Sequence, residues 1–182
     1  MKKHLSIILG LILLVVFTNV NAQSKMHLGV GADISLPMGS FGDVAGLGFG
    51  GSVRGELGLA DNINGMATVG YLTYGGKDFG NSSYSYSAIA ILVGAKYYIG
   101  TDGLYTMAET GFHLWTYSVE SQPVTIGGFT VGGGSNDFSA SEFSYGVGVG
   151  YEFGSFDVNV KYTGAGSGIS YIGARVGYRF AL

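Results

Sequence analysis

The sequence predicts an all-β fold, namely an eight-stranded antiparallel up-and-down β-barrel. In eight segments of the 182-residue chain, apolar residues alternate with small or polar residues, and a period of two is typical of strands with two different faces. Gly, Asn, Asp and Ser cluster between these segments, where they favour turns. An even number of strands suits a barrel in which every strand is antiparallel to its neighbours.

The composition excludes several other classes of protein. Apolar residues make up 47% of the chain and charged residues 12%, so the chain has enough apolar surface to fold and is not a disordered segment. The 34 glycines occur with two prolines and without a Gly-X-Y period, which excludes collagen. The chain has no cysteine for a disulfide, a thiolate metal site or a lipid anchor. The net charge is −3 and no basic run occurs, so we expect no nucleic-acid partner.

The first 22 residues are predicted to be a signal peptide. Lys2 and Lys3 give a basic start, an uncharged apolar run extends from Leu5 to Phe17, and Val20–Ala22 supplies small residues where a signal peptidase reads. A transmembrane helix needs ~20 apolar residues, and this run is shorter. We therefore expect cleavage after Ala22, with residues 23–182 as the mature barrel domain.

The connections between the predicted strands alternate in length. Strands are predicted near residues 26–36, 47–59, 64–74, 86–99, 104–117, 143–153, 156–163 and 170–182. Tight turns are predicted at 60–63, 100–103 and 154–155, and longer connections at 37–46, 75–85, 118–142 and 164–169. An up-and-down barrel sorts alternate connections to opposite ends, and membrane barrels place short turns in the periplasm and longer loops outside. Both termini are thus expected on the periplasmic side.

One face of every predicted strand is free of charge. In the last strand, the apolar phase runs at every second position from Ile172 to Leu182, opposite Arg175 and Arg179. Applied to all strands, the same phasing places five acids and five bases on the other face, namely Asp33, Arg54, Glu56, Lys96, Glu109, Glu152, Asp157, Lys161, Arg175 and Arg179. Balanced charges suit a narrow lumen, where each ion must be paired to offset its desolvation.

The apolar face is expected to meet lipid. A charge at the middle of this face would cost ~2 to 4 kcal/mol in a bilayer, and the face has none. Aromatic residues near both ends of the strands fit interfacial girdles. A secreted barrel enclosing a ligand, or a soluble sandwich, would instead present a polar outer surface. The sequence therefore predicts an integral outer-membrane barrel, with outer-membrane lipid around it and a lumen plugged by charged side chains.

The chain resembles the small eight-stranded outer-membrane barrels of the OmpA/OmpX type, in the divergent form called the outer membrane protein β-barrel domain. The resemblance covers residues 26–182, and its most recognisable parts are Leu36–Gly42, Gly94–Gly100 and Val176–Phe180. It implies a porin-like barrel at the surface of a Gram-negative bacterium. The alternation of Tyr178, Phe180 and Leu182 resembles the C-terminal signal read by the barrel-insertion machinery, although the family more often ends on the aromatic residue. Family members include structural proteins and adhesins.

Motifs of catalysis are weak in this sequence. Gly46–Gly51 satisfies G-x-G-x-x-G, but the period of two continues to Leu59 where the dinucleotide fingerprint requires a helix. His113 is predicted on the lumen face together with Glu109, and the two residues could form an acid/base pair or half a metal site. The favoured interpretation is a polar contact within the lumen, because catalysis or zinc binding needs a third organised group. Ser170 and Asp33 are further residues that could approach a histidine. We expect no catalytic residues, no cofactor and no metal.

The connection from 118 to 142 is the most distinctive loop. Val124, Ile126, Phe129 and Val131 flank a Gly-Gly turn, which predicts a hairpin that could extend the sheet above the membrane. An open sheet edge can bind another chain by strand addition, whereas a solvated loop would not. The expected function is structural, adhesive or both, with an extracellular protein or surface bound through residues 118–142. A narrow channel for small solutes and an outer-membrane lipid-modifying enzyme are the alternatives.

Overall fold

A computed structural model describes residues 26–76, 82–121, 124–126, 129–131 and 133–182, and it confirms the predicted fold class. Eight strands close a barrel in chain order, with each strand antiparallel to its neighbours. They are β1 (Met26–Met38), β2 (Ala45–Ala60), β3 (Ile63–Gly76), β4 (Ser82–Tyr98), β5 (Leu104–Ser121), β8 (Gly134–Phe153), β9 (Phe156–Ala165) and β10 (Ile169–Ala181). The signal peptide lies outside the described residues and stays a prediction.

Two of the longer connections differ from the sequence-based expectation. The connection predicted over 37–46 contains a short helix, α1 (Gly39–Val44), because the Phe41 side chain is buried in the mouth of the barrel and holds the segment there. The connection predicted over 118–142 is mostly strand, since β5 reaches Ser121 and β8 begins at Gly134. Between them lies a hairpin formed by β6 (Val124–Ile126) and β7 (Phe129–Val131).

Closure of the barrel comes from β1, which pairs with β2 on one side and with β10 on the other. The register sets Asp33 opposite Arg175 across the closing seam, so the two charges enter the lumen at the same level. No helix among the described residues is long and apolar enough to cross a membrane.

The two faces of the wall differ as the sequence predicts. On β8, the exterior side chains from Phe143 to Tyr151 are 45 to 60% exposed, while Ser144, Gly146 and Gly150 between them are buried. The same inversion holds on β4, where Ile89, Ile91 and Val93 point outward. Large apolar side chains on the outside and polar ones inside are the reverse of a water-soluble barrel.

Glycine on the lumen face makes room for large side chains. A Cβ atom at Gly150 would lie 2.3 Å from Cζ of Tyr105, whose ring is fully buried. At Gly148 a Cβ atom would lie 2.7 Å from Cβ of Lys161, whose side chain enters the lumen. An eight-stranded barrel has an interior only wide enough for its own side chains, and glycine provides the space that the lumen residues occupy.

Candidate functional sites in the lumen and above the membrane

The lower lumen contains an ion network centred on Lys96. The Lys96 side chain has no exposed surface, and Nζ donates to Glu56 Oε1 at 2.6 Å, to Asp157 Oδ2 at 2.6 Å and to Glu152 Oε1 at 2.8 Å. Nζ also lies 4.4 Å from the centroid of the Tyr105 ring. Three carboxylates and an aromatic face thus replace the water that this ammonium group lost on burial.

The structure brings the ten sequence-predicted lumen charges together. Asp33 accepts a hydrogen bond from Ser52 Oγ at 2.7 Å, and Arg175 Nε donates to the same hydroxyl at 2.9 Å. Lys161 contacts Glu109 directly. The nine other than Asp33 form ion pairs with one another, namely Arg54, Glu56, Lys96, Glu109, Glu152, Asp157, Lys161, Arg175 and Arg179.

One acidic group among the described residues has the spacing of a metal site. Carboxylate oxygens of Glu56, Glu152 and Asp157 lie within 4.8 Å of one another. The Lys96 ammonium group contacts all three carboxylates and supplies the positive charge that a metal ion would otherwise bring. The arrangement therefore fits a lysine-centred ion cluster.

His113 does not form the pair with Glu109 that the sequence left open. Its Nδ1 lies 2.9 Å from Ser144 Oγ and its Nε2 lies 2.9 Å from Tyr171 OH, while Glu109 is held by Lys161. The pairing failed because residues four apart on a strand are ~13 Å apart along it, and neighbouring strands supply nearer partners. Ser170 and Asp33 are engaged elsewhere, with the Met38 carbonyl and Ser52 respectively.

Aromatic side chains close the lumen above the ion network. Phe41 packs edge-on against Tyr74 at 5.2 Å and against Trp115 at 5.4 Å between ring centroids. Between this layer and the ions lies a cavity of about 30 Å³, bordered by Arg54, Tyr171 and others. Such a volume holds about two water molecules, so side chains fill most of this part of the lumen. Sequence reasoning missed Phe41, because a Gly- and Ser-rich connection gives no signal of a buried helix.

Above the lipid-facing surface, β4, β5 and β8 continue as a sheet, here called the protruding sheet, and the end of β3 pairs with its β4 side up to Gly75. Toward the top of these strands, the exterior positions change from large apolar residues to hydroxyl-bearing ones. On β8, for example, Phe143 is followed upward by Ser141 and Ser139, and on β5 Leu114 is followed by Thr116. This change marks the upper border of the apolar band, which a bilayer would cover.

One edge of the protruding sheet is open. β8 pairs with β9 only from Ser144, which is opposite Ala165, and Gly166 N donates to the Phe143 carbonyl at 2.9 Å. Across the described residues, no strand pairs with this side of Gly134–Glu142. The backbone N–H and C=O groups of successive residues in a strand point to opposite edges. The groups of Ser139 and Ser141 therefore point in the same direction as the Phe143 carbonyl, toward the open edge.

The inner face of the protruding sheet carries a row of aromatic rings. Tyr86, Tyr117 and Phe138 are cross-strand neighbours, and the Tyr86 and Tyr117 rings meet at a right angle with centroids 5.7 Å apart. Burial raises the pKa of Tyr117, and the negative charge of Glu142 raises this pKa further. Glu142 also lies against the turn at Gly166, since a Cβ atom there would be 2.2 Å from its Oε2.

For two sets of sequence-predicted residues, those of the hairpin and those of the insertion signal, the structure shows the position but not the role. The hairpin residues Val124, Ile126, Phe129 and Val131 lie on the paired strands β6 and β7, and their side chains are outside the described part of the chain. The residues of the proposed insertion signal, Tyr178, Phe180 and Leu182, are 41, 47 and 76% exposed, with both rings on the exterior face. Their role in assembly stays a prediction.

The comparisons with known proteins show similarity in fold alone. No protein-family model matches the chain, and no curated protein sequence matches it either. The attachment invasion locus protein Ail of Yersinia pestis, solved with the heparin analogue sucrose octasulfate, is 12% identical with a TM-score of 0.54, covering 86% of this chain and 97% of Ail. The N-terminal barrel of Pseudomonas aeruginosa OprF is 17% identical with a TM-score of 0.52, covering 87% and 100%.

A third structure relates this fold to a bilayer. Ail in a phospholipid bilayer nanodisc is 12% identical with a TM-score of 0.52, covering 87% of this chain and 100% of that one. The chain thus has the fold of the small outer-membrane β-barrels. Together with the apolar exterior, this fold places the barrel in an outer membrane with lipid around it.

Proposed function

We propose that this chain is a surface-binding protein of the outer membrane, in which the barrel is a scaffold and the protruding sheet carries the binding surface. The observation that supports the proposal most is the open edge of β8 at Gly134–Glu142. Unpaired backbone groups on an exposed edge are a template for a strand from another chain. Adhesion to a protein on another cell or surface is the form of binding that this geometry suits.

The partner is expected not to be a polyanion. Ail was solved with the heparin analogue sucrose octasulfate, whose sulfate groups are negatively charged. In this chain the four longer connections contain the acids Asp43, Asp78, Glu120, Asp137 and Glu142 but the single base Lys77. Five negative charges against one positive charge at this end would repel a sulfated polysaccharide.

The proposal includes that the protein is not an enzyme. Both ring nitrogens of His113 are engaged by hydroxyl groups and the ring has no exposed surface, so a substrate has no access to it. The ion network and the aromatic layer likewise oppose a role as a channel, because they leave room for about two waters between them.

Replacing Ser139 and Ser141 together with proline is expected to abolish adhesion of whole cells that display the protein. Proline removes the two edge N–H groups that an added strand would use, and it is tolerated on an edge strand because the hydrogen bonds to β5 remain. Adhesion to immobilised host proteins measures the effect, at surface levels equalised by antibody labelling. Ser139→Ala with Ser141→Ala, which keeps the N–H groups, is expected to adhere normally.

A coarser variant completes this test. Residues 121–137 are replaced by a short Gly-Ser linker, which removes the hairpin and the top of the sheet together. Loss of adhesion with this variant but not with the prolines would move the binding surface from the edge to the hairpin. Full adhesion with both variants would contradict the proposal.

A further inference from the structure

Phe138 is exposed where no lipid covers it. Its side chain is 64% exposed, the highest value for any aromatic ring in the described part of the chain. It lies five residues beyond Phe143, or roughly 16 Å further along the strand, and so stands above the apolar band. An exposed ring at the end of the Tyr86–Tyr117 row extends an aromatic surface into solvent, and such surfaces mark binding sites.

The charge around this surface is negative and not compensated. Glu142 lies on the same face of β8 and forms no ion pair with any described residue. Every described Lys and Arg is in the lumen network, namely Arg54, Lys96, Lys161, Arg175 and Arg179. Aromatic faces and a carboxylate both attract a cation, and no Lys or Arg in the described part of the chain supplies one here.

We propose that the inner face of the protruding sheet, through Phe138, Tyr117 and Glu142, recognises an arginine or lysine side chain of a peptide strand added to the β8 edge. The inference rests on the proposed function, because the added strand is what presents the basic side chain. It names the partner as a basic, extended peptide segment.

The geometry of strand addition puts a basic side chain of the added strand within reach of the Phe138 ring and the Glu142 carboxylate. An added strand would run ~4.8 Å from β8, with alternate side chains on the inner face. A residue beside Ala140 would lie between Phe138 and Glu142, ~7 Å from each along the strand. Ala140 is small and half-buried, so it leaves space for a long basic side chain to pass over it. The guanidinium group could then stack on the Phe138 ring and pair with the Glu142 carboxylate.

Peptide binding to the full chain, refolded into phospholipid nanodiscs, tests the proposal. The probe is a fluorescein-labelled eight-residue peptide in which threonine alternates with arginine, and its matched controls carry citrulline or glutamate in place of arginine. Citrulline keeps the shape of arginine without the charge. Fluorescence anisotropy is expected to show the arginine peptide binding at least about tenfold more tightly than either control, with affinity falling as salt rises.

Single variants locate the site. Phe138→Leu, which keeps an apolar side chain without the ring, and Glu142→Gln are each expected to weaken binding of the arginine peptide about three- to tenfold. Thr116→Ala, on the exterior face of β5, is the control for handling and refolding. Heat-modifiable migration in gel electrophoresis verifies that each variant forms the barrel.

The outcomes separate this inference from the proposed function. Equal binding of the arginine and citrulline peptides, or unchanged affinity in Phe138→Leu and Glu142→Gln, would overturn the inference. If the edge prolines still abolish adhesion in that case, the proposed function stands without it. If a soluble maltooligosaccharide binds, and binding depends on Phe138 but not on Glu142, the aromatic row is a sugar site and the inference is wrong.

Discussion

Replacing Lys96 with methionine is expected to lower the free energy of unfolding by about 3 to 5 kcal/mol, because three buried carboxylates lose their shared cation. Lys96 Nζ lies 2.6 to 2.8 Å from oxygens of Glu56, Glu152 and Asp157, and its side chain is fully buried. Methionine fills a similar volume but carries no charge, so the change isolates the electrostatic loss. Urea unfolding from lipid vesicles, followed by tryptophan fluorescence, measures the shift.

Lys161→Met is the matched control for this prediction. Among the described residues Lys161 forms an ion pair with Glu109 alone, and its side chain is 12% exposed, so water can partly replace it. We expect a clearly smaller loss of stability than for Lys96→Met. Equal effects of the two changes, or an unchanged midpoint for Lys96→Met, would contradict a dry, charge-paired lumen.

Val160→Arg is expected to prevent assembly of the barrel in the membrane. Val160 lies on the exterior face in the middle of β9 and is 48% exposed. An arginine there would cost ~2 to 4 kcal/mol at the bilayer midplane, which is a large fraction of the stability of a small barrel. Heat-modifiability and protease resistance in isolated outer membranes report assembly.

Ser139→Arg controls for the added charge in that experiment. Ser139 lies on the exterior face of β8 but above the apolar band, so its arginine would remain in water. This variant is expected to assemble like the unchanged protein. Normal assembly of Val160→Arg would mean that the exterior face does not meet lipid.

Period-two alternation was sufficient to predict the eight barrel strands and which face is charged, but not the extension of β5 and β8 into the connection predicted over 118–142. Arg54, Asp157 and Arg175 could be assigned to the lumen because a strand has only two faces, and one of them had no charge. The short turns were equally predictable, because Gly and Asn cluster at strand ends. These features depend on residues that are neighbours in the sequence, so the sequence alone predicts them.

The sequence did not predict which side chains on different strands contact one another. That Lys96 gathers Glu56, Glu152 and Asp157 depends on the register of strands far apart in sequence. The partners of His113 have the same origin: Ser144 and Tyr171 share its face, but only the closed barrel brings them near. The α1 helix was missed because Phe41 is buried by tertiary packing, which overrides the loop preference of its neighbours.

A nitroxide scan along β8 in a phospholipid bilayer tests the central claim, that the apolar exterior meets lipid up to Phe143 and the sheet above it meets water. The chain has no cysteine, so a single introduced cysteine carries each label uniquely. Two reagents are used: oxygen, which concentrates in lipid, and a nickel complex, which stays in water. Oxygen is expected to reach labels at Phe143, Tyr145, Val147 and Val149. Neither reagent is expected to reach a label at Ser144, which faces the lumen. Labels at Ser139 and Ser141 should be accessible to the nickel complex. If the nickel complex instead reaches Val147 and Val149, the exterior is not a lipid-facing surface and the account is wrong.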